Sequence, residues 1–88
     1  MNPLSLSNQL ITEVPHDIVE KNRNRARVVV ILDASVDNIR FIRHGERVTV
    51  LVKTVLNGYI YTNVELWFKP SKIEYMVKNG VLTIDFTR

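Results

Sequence analysis

The most constraining feature of the chain is a segment near its C-terminal end, in which Asn79-Gly80 separates two apolar stretches. A two-residue hairpin turn needs positive φ at both central positions, and Asn-Gly is the favoured pair for that turn. After the turn, Leu82, Ile84 and Phe86 alternate with polar residues and therefore share one face of a strand. The segment predicts a β-hairpin that closes the fold.

The remainder of the chain also has strand patterning. Residues 26–33 form a nearly continuous β-branched run, which is typical of a strand in the centre of a sheet, and residues 47–53 alternate apolar with polar. Gly45 and Gly58 each fall in a turn between predicted strands. Strands are predicted at residues 17–20, 26–33, 39–42, 47–53, 59–68, 73–77 and 81–86. This spacing, without a helical period, predicts an all-β fold, an antiparallel β-sandwich of about seven short strands with an immunoglobulin-like arrangement.

Length and composition limit what such a chain can be. Its 88 residues suffice for one domain, which we expect at residues 15–88, after a loosely ordered apolar tail at residues 1–14. The absence of cysteine excludes disulfides and thiolate chemistry. The N-terminus has no signal-peptide pattern and no apolar run is long enough to span a membrane, so we expect a cytoplasmic protein without membrane contact.

Catalytic and metal-binding patterns are not found in the sequence. His16 and His44 have no second ligand at metal spacing, and no nucleophile, base or phosphate-binding glycine loop can be identified. We therefore predict a binding protein that is not an enzyme and uses no metal and no cofactor.

The closing hairpin carries a family resemblance. Asn79-Gly80-Val81-Leu82-Thr83-Ile84 resembles the Asn/Asp-Gly-Val-Leu-Thr-Ile signature that closes the α-crystallin domain of small heat-shock proteins, and the order of predicted strands over residues 16–86 is similar to that family. The resemblance implies an ATP-independent chaperone of the stress response, or a related protein-binding module, that holds apolar segments of unfolded client or partner proteins.

The chain also departs from the family pattern. Only residues 55–58 separate the two central strands, where many family members carry a long loop that is exchanged in a dimer, and no Ile-x-Ile type anchor follows the last strand. The resemblance is therefore to a compact and divergent member, close in kind to the CS domain of co-chaperones. A homodimer and a pure assembly role within a larger complex both stay open.

Two groups of residues are candidates for partner binding. Tyr59, Tyr61 and Trp67 share parity on the predicted strand at 59–68, so they form an outward aromatic stripe unless the tail or cross-strand packing covers them. The family resemblance implies a second site, a groove that accepts apolar anchors between two strands; its lining would be Ile39, Phe41, Ile73 and Tyr75. The alternative for this second group is ordinary core packing. Leu10-Ile11 in the tail is a candidate occupant of the groove.

A basic segment supports an alternative function. The net charge is +3, and Arg23, Arg25 and Arg27 cluster in a predicted turn whose simplest interpretation is a solvated loop. Together with the aromatic stripe, Lys53 and Lys69, this cluster would suit a small basic nucleic-acid-binding β-domain. That alternative predicts binding that weakens steeply with salt.

Overall fold

The computed structural model describes residues 11–56 and 58–88. Within them the chain forms eight strands: β1 (Ile11–Glu13), β2 (Asp17–Asn22), β3 (Arg25–Ile31), β4 (Val36–His44), β5 (Arg47–Thr54), β6 (Tyr59–Glu65), β7 (Lys72–Lys78) and β8 (Val81–Thr87). They make two four-stranded sheets, sheet I in the order β1-β6-β5-β4 and sheet II in the order β2-β3-β8-β7. The two sheets pack face to face, which confirms the predicted β-sandwich.

Alternation along the inner strands builds the core between the sheets. In β3, β5, β6 and β8 every second side chain is buried, as the period of two requires. The segments that follow β3 and β6 add further buried residues. The buried apolar side chains are Ala26, Val28, Val30, Leu32, Val48, Val50, Val52, Ile60, Val64, Leu66, Phe68, Leu82, Ile84 and Phe86.

The closing hairpin has the predicted turn geometry. Asn79 and Gly80 have φ of 54° and 78°, so both central positions are left-handed as an Asn-Gly turn demands. The carbonyl of Gly80 accepts hydrogen bonds from the amides of Leu32 and Asp33 at 2.8 and 3.3 Å. The turn therefore closes one end of the sandwich as well as joining β7 to β8.

Residues 11–13 of the predicted N-terminal tail dock on sheet I. Residues 11–13 form β1, which runs parallel to β6 with Ile11 opposite Tyr59 and Glu13 opposite Tyr61. The amide of Val14 then donates to the carbonyl of Tyr61 at 2.9 Å. A bare sheet edge offers a row of unpaired backbone groups, and so short a strand gains its order from that edge rather than from its own pattern. Residues 1–10 lie outside the described part of the chain.

Several predicted strand ends differ from the structure, most of all those of β3, β4 and β6. β4 runs from Val36 to His44 rather than over 39–42, because the long β5 offers backbone partners along its whole length and a bulge admits Asp37. β3 ends at Ile31, before Asp33 takes a φ of 51°. β6 ends at Glu65 instead of residue 68, and the following chain crosses toward sheet II.

No helix among residues 11–56 and 58–88 is long and apolar enough to cross a membrane.

Candidate functional site: a groove between two sheet edges

β4 and β7 are the last strands of their sheets, and they lie on the same side of the sandwich. Among the described residues neither strand pairs with a neighbour beyond its own sheet, so each presents an open backbone edge. The rings of Phe41 on β4 and Tyr75 on β7 meet with centroids 5.4 Å apart and planes inclined at 49°. This contact joins the two edges and forms the floor of a groove.

The apolar side chains of the groove are placed by strand register. Ile39 and Phe41 are half-buried residues of β4 that pack against the core from the sheet edge. On β7, Tyr75 stands opposite the buried Ile84, so it shares the inward face of sheet II. It nevertheless remains 52% exposed, because no further strand from the described part of the chain covers this side of the sandwich.

A cavity extends from this floor toward the closing turn. Its volume is about 490 Å³, which lies in the range of clefts that bind ligands. The lining residues come from the start of β4, the loop before it, β7 and the turn glycine: Ala34, Ser35, Val36, Asp37, Asn38, Ile39, Tyr75, Val77 and Gly80. Asp37 is the one charged residue among them, and the cavity combines polar groups of Ser35, Asp37 and Asn38 with apolar side chains of both strands.

The structure brings together the residues that the family resemblance placed in a groove. Ile39 and Phe41 lie on one facing edge and Ile73 and Tyr75 on the other. Ile73, like Ile39 and Phe41, packs against the core, which agrees with the core-packing alternative for these three residues. Sequence reasoning missed Val77, which is 37% exposed in the same groove, although its spacing of two from Tyr75 was the signal that could have found it.

The prediction that Ile11 occupies the groove is wrong. Ile11 pairs with Tyr59 on β6, and β6 is separated from β4 by β5, so Ile11 lies at the opposite edge of sheet I. Pairing satisfies its backbone there and leaves its side chain 59% exposed. Leu10 lies outside the described residues.

The predicted aromatic stripe is divided in the structure. Tyr59 and Tyr61 alternate with the buried Ile60 and Thr62, so they do share the outer face of sheet I. Trp67 does not continue that row, because β6 has already ended. Its indole Nε1 donates to the carbonyl of Asn22 in sheet II at 2.8 Å.

The three arginines of the basic segment are also separated in role. Arg23 lies in the turn between β2 and β3, while Arg25 and Arg27 lie on β3. The guanidinium of Arg27 contacts Asp85 at 2.8 Å and Glu20 at 3.3 Å. The hydrogen bond and the charge of Asp85, with a smaller effect of Glu20, raise the pKa of Arg27 above its ordinary value. Arg27 therefore serves as a cross-strand tie on sheet II rather than as a freely available contact for an anion.

Comparison of the chain with descriptions of known protein families, with curated proteins and with solved structures found no match. The groove and the exposed faces of the two sheets are therefore the features that bear on function.

Proposed function

We propose that this protein is an ATP-independent binding module of the small heat-shock-protein kind, which holds extended apolar segments of client or partner proteins in the groove between β4 and β7. The observation that carries the proposal is a cleft of about 490 Å³ that is bordered by two open strand edges and lined in part by the apolar side chains of Val36, Ile39 and Val77. The family resemblance of the closing hairpin points to the same groove.

The groove combines the two sources of affinity that an extended segment can use. A strand edge offers backbone N–H and C=O groups to a segment that lies beside it, and pockets between the edges accept alternate side chains. Tyr75 and Val77 are spaced by two along β7 and both lie in the groove, so their spacing matches the side-chain period of a bound strand. We therefore expect a ligand with Val, Ile or Leu at every second position.

The contribution of Tyr75 can be estimated from its exposure. A tyrosine side chain of roughly 200 Å² that is 52% exposed in the free protein offers about 100 Å² for burial under a ligand. At about 25 cal/mol per Å² this area is worth up to about 2.5 kcal/mol, and half coverage still gives about a tenfold effect on Kd.

The test compares two neighbouring residues of β7. A fluorescently labelled peptide of alternating apolar residues is titrated with the wild-type protein, Tyr75→Ala and Met76→Ala, and anisotropy gives each Kd. Met76 is the matched control, because it is 62% exposed but lies on the opposite face of the strand, away from the groove. We expect Tyr75→Ala to raise Kd about tenfold and Met76→Ala to leave it within about twofold.

A second assay separates a general chaperone from a dedicated docking module. Light scattering from a heat-aggregating client, with and without the protein, measures holdase activity directly. Suppression that Tyr75→Ala removes would support a chaperone. Peptide binding without suppression would instead point to one specific partner. Equal Kd values for wild type and Tyr75→Ala would reject the groove as the binding site.

A further inference from the structure

The outer face of sheet I carries a second arrangement, which adjoins the groove only at the start of β4, where Asn38 borders both. Register places Tyr59 beside Lys53, and Lys53 beside Asn38, in one row across three strands. The next row contains Tyr61, Leu51 and Arg40 in the same order. Tyr59 therefore stands directly beside the basic Lys53, and Arg40 lies two strands from Tyr61 with Leu51 between them.

These rows enclose a shallow depression of about 360 Å³, lined by Asn38, Arg40, Leu51, Lys53 and Tyr59. Leu51 is half-buried and lies at the centre of the second row, with Tyr59 and Lys53 in the first. The depression is thus apolar and aromatic on one side and positively charged with an amide on the other.

The charges are arranged unevenly over this face. Among the described residues Arg40 has no ion-pair partner, and Lys53 has only a loose one, with its Nζ 3.6 Å from Asp37 and both side chains more than half exposed. Apart from Asp37, the carboxylates of this face lie further off: Glu65 is paired with Arg47, and Glu13 stands beside Tyr61 on the β1 side. The β4–β5 half is therefore the half that favours an anion.

We propose that this depression binds single-stranded nucleic acid, with a base stacked on Tyr59 and the neighbouring phosphates held by Arg40 and Lys53. A base has an apolar face that suits a tyrosine ring and Leu51, and its phosphate suits two cations on adjacent strands. Tyr61, two residues further along β6, offers a second ring to the next base. An apolar peptide would use the rings but would leave Arg40 without a counter-charge and Lys53 with only its loose contact to Asp37.

The test is anisotropy of a labelled oligothymidine of about ten nucleotides, within the usual range of site sizes. The protein is the full chain, and the variants are Lys53→Ala, Arg40→Ala and Tyr59→Ala. Lys78→Ala is the matched control, because it removes one exposed lysine from β7 of the other sheet. Thermal unfolding of each variant verifies the fold, and Lys53→Ala and Arg40→Ala alter only exposed side chains.

We expect the affinity of the wild type to fall with salt. The slope of the logarithm of the association constant against the logarithm of the salt concentration should be about −1.4 for two phosphate contacts. Lys53→Ala and Arg40→Ala should each reduce the magnitude of that slope by about 0.7. Tyr59→Ala should lower affinity at least about fivefold, whereas Lys78→Ala should leave affinity and slope unchanged.

Three results would overturn the proposal. The first is no binding at low salt by the folded wild-type protein. The second is an equal loss in Lys78→Ala and Lys53→Ala, which would indicate non-specific attraction to the net positive charge. The third is equally tight binding of a duplex of the same length, because paired bases do not offer their faces for stacking.

Discussion

Trp67 connects the chain after β6 to sheet II. We predict that replacing it lowers the stability of the fold and leaves partner binding unchanged. Three contacts hold the indole: the hydrogen bond from Nε1 to the carbonyl of Asn22 at 2.8 Å, an edge-to-face contact with Phe68 at 5.5 Å and 88°, and the ammonium of Lys21 at 5.8 Å. Phe68 is fully buried, so the ring also covers part of the core.

The cost of each change can be estimated contact by contact. Trp67→Phe removes the hydrogen bond but keeps an aromatic ring, which should cost about 1 kcal/mol. Trp67→Ala also removes the contact with Phe68, worth about 1 kcal/mol, and that with Lys21, worth about 0.5–1 kcal/mol. We therefore expect a loss of about 3 kcal/mol, which lowers Tm by roughly 12–24 °C, against roughly 4–8 °C for Trp67→Phe.

Thermal unfolding followed by circular dichroism measures both values, and the peptide anisotropy assay is run below the transition. We predict that folded Trp67→Ala protein binds the peptide with the affinity of the wild type. A Trp67→Ala protein that melts within a few degrees of wild type but binds the peptide weakly would refute it. That result would indicate that Trp67 contacts the bound partner.

Two further predictions concern the closing turn and the cross-strand ion pair. Gly80→Ala meets only ordinary contacts, with the nearest atoms of Asp33 at 3.8 Å, so its cost is the left-handed φ of 78° alone; we expect about 1–2 kcal/mol and a clearly lower Tm without loss of the fold. The stabilisation that accompanies the raised pKa of Arg27 is fully present below the ordinary pKa of arginine and is lost only as pH rises through the still higher pKa of the folded state. The difference in Tm between wild type and Arg27→Gln should accordingly stay constant between about pH 6 and 10. A Tm difference that vanished within that pH range would show that a group other than Arg27 controls this contribution to stability.

Local signals in the sequence predicted most of the strands, because they act over a few residues. The Asn79-Gly80 pair encodes its own turn, and the alternation in β5 and β8 assigns inward and outward faces without reference to the rest of the chain. The same parity correctly put Tyr59 and Tyr61 on an outer face. It failed at Trp67, since parity has meaning only while the strand continues, and β6 ends at Glu65.

The sequence by itself determined that this chain is built from short strands joined by tight turns, and which side of each inner strand faces the core. Only the tertiary structure decided which sheet edges stay open and which residues of different strands become neighbours. The meeting of Phe41 with Tyr75, the pairing of Ile11 with Tyr59 and the row from Tyr59 to Asn38 each join residues far apart in sequence. The physical reason is that side-chain periodicity is a property of one strand, whereas strand order depends on how all eight strands together bury the core and satisfy their backbones.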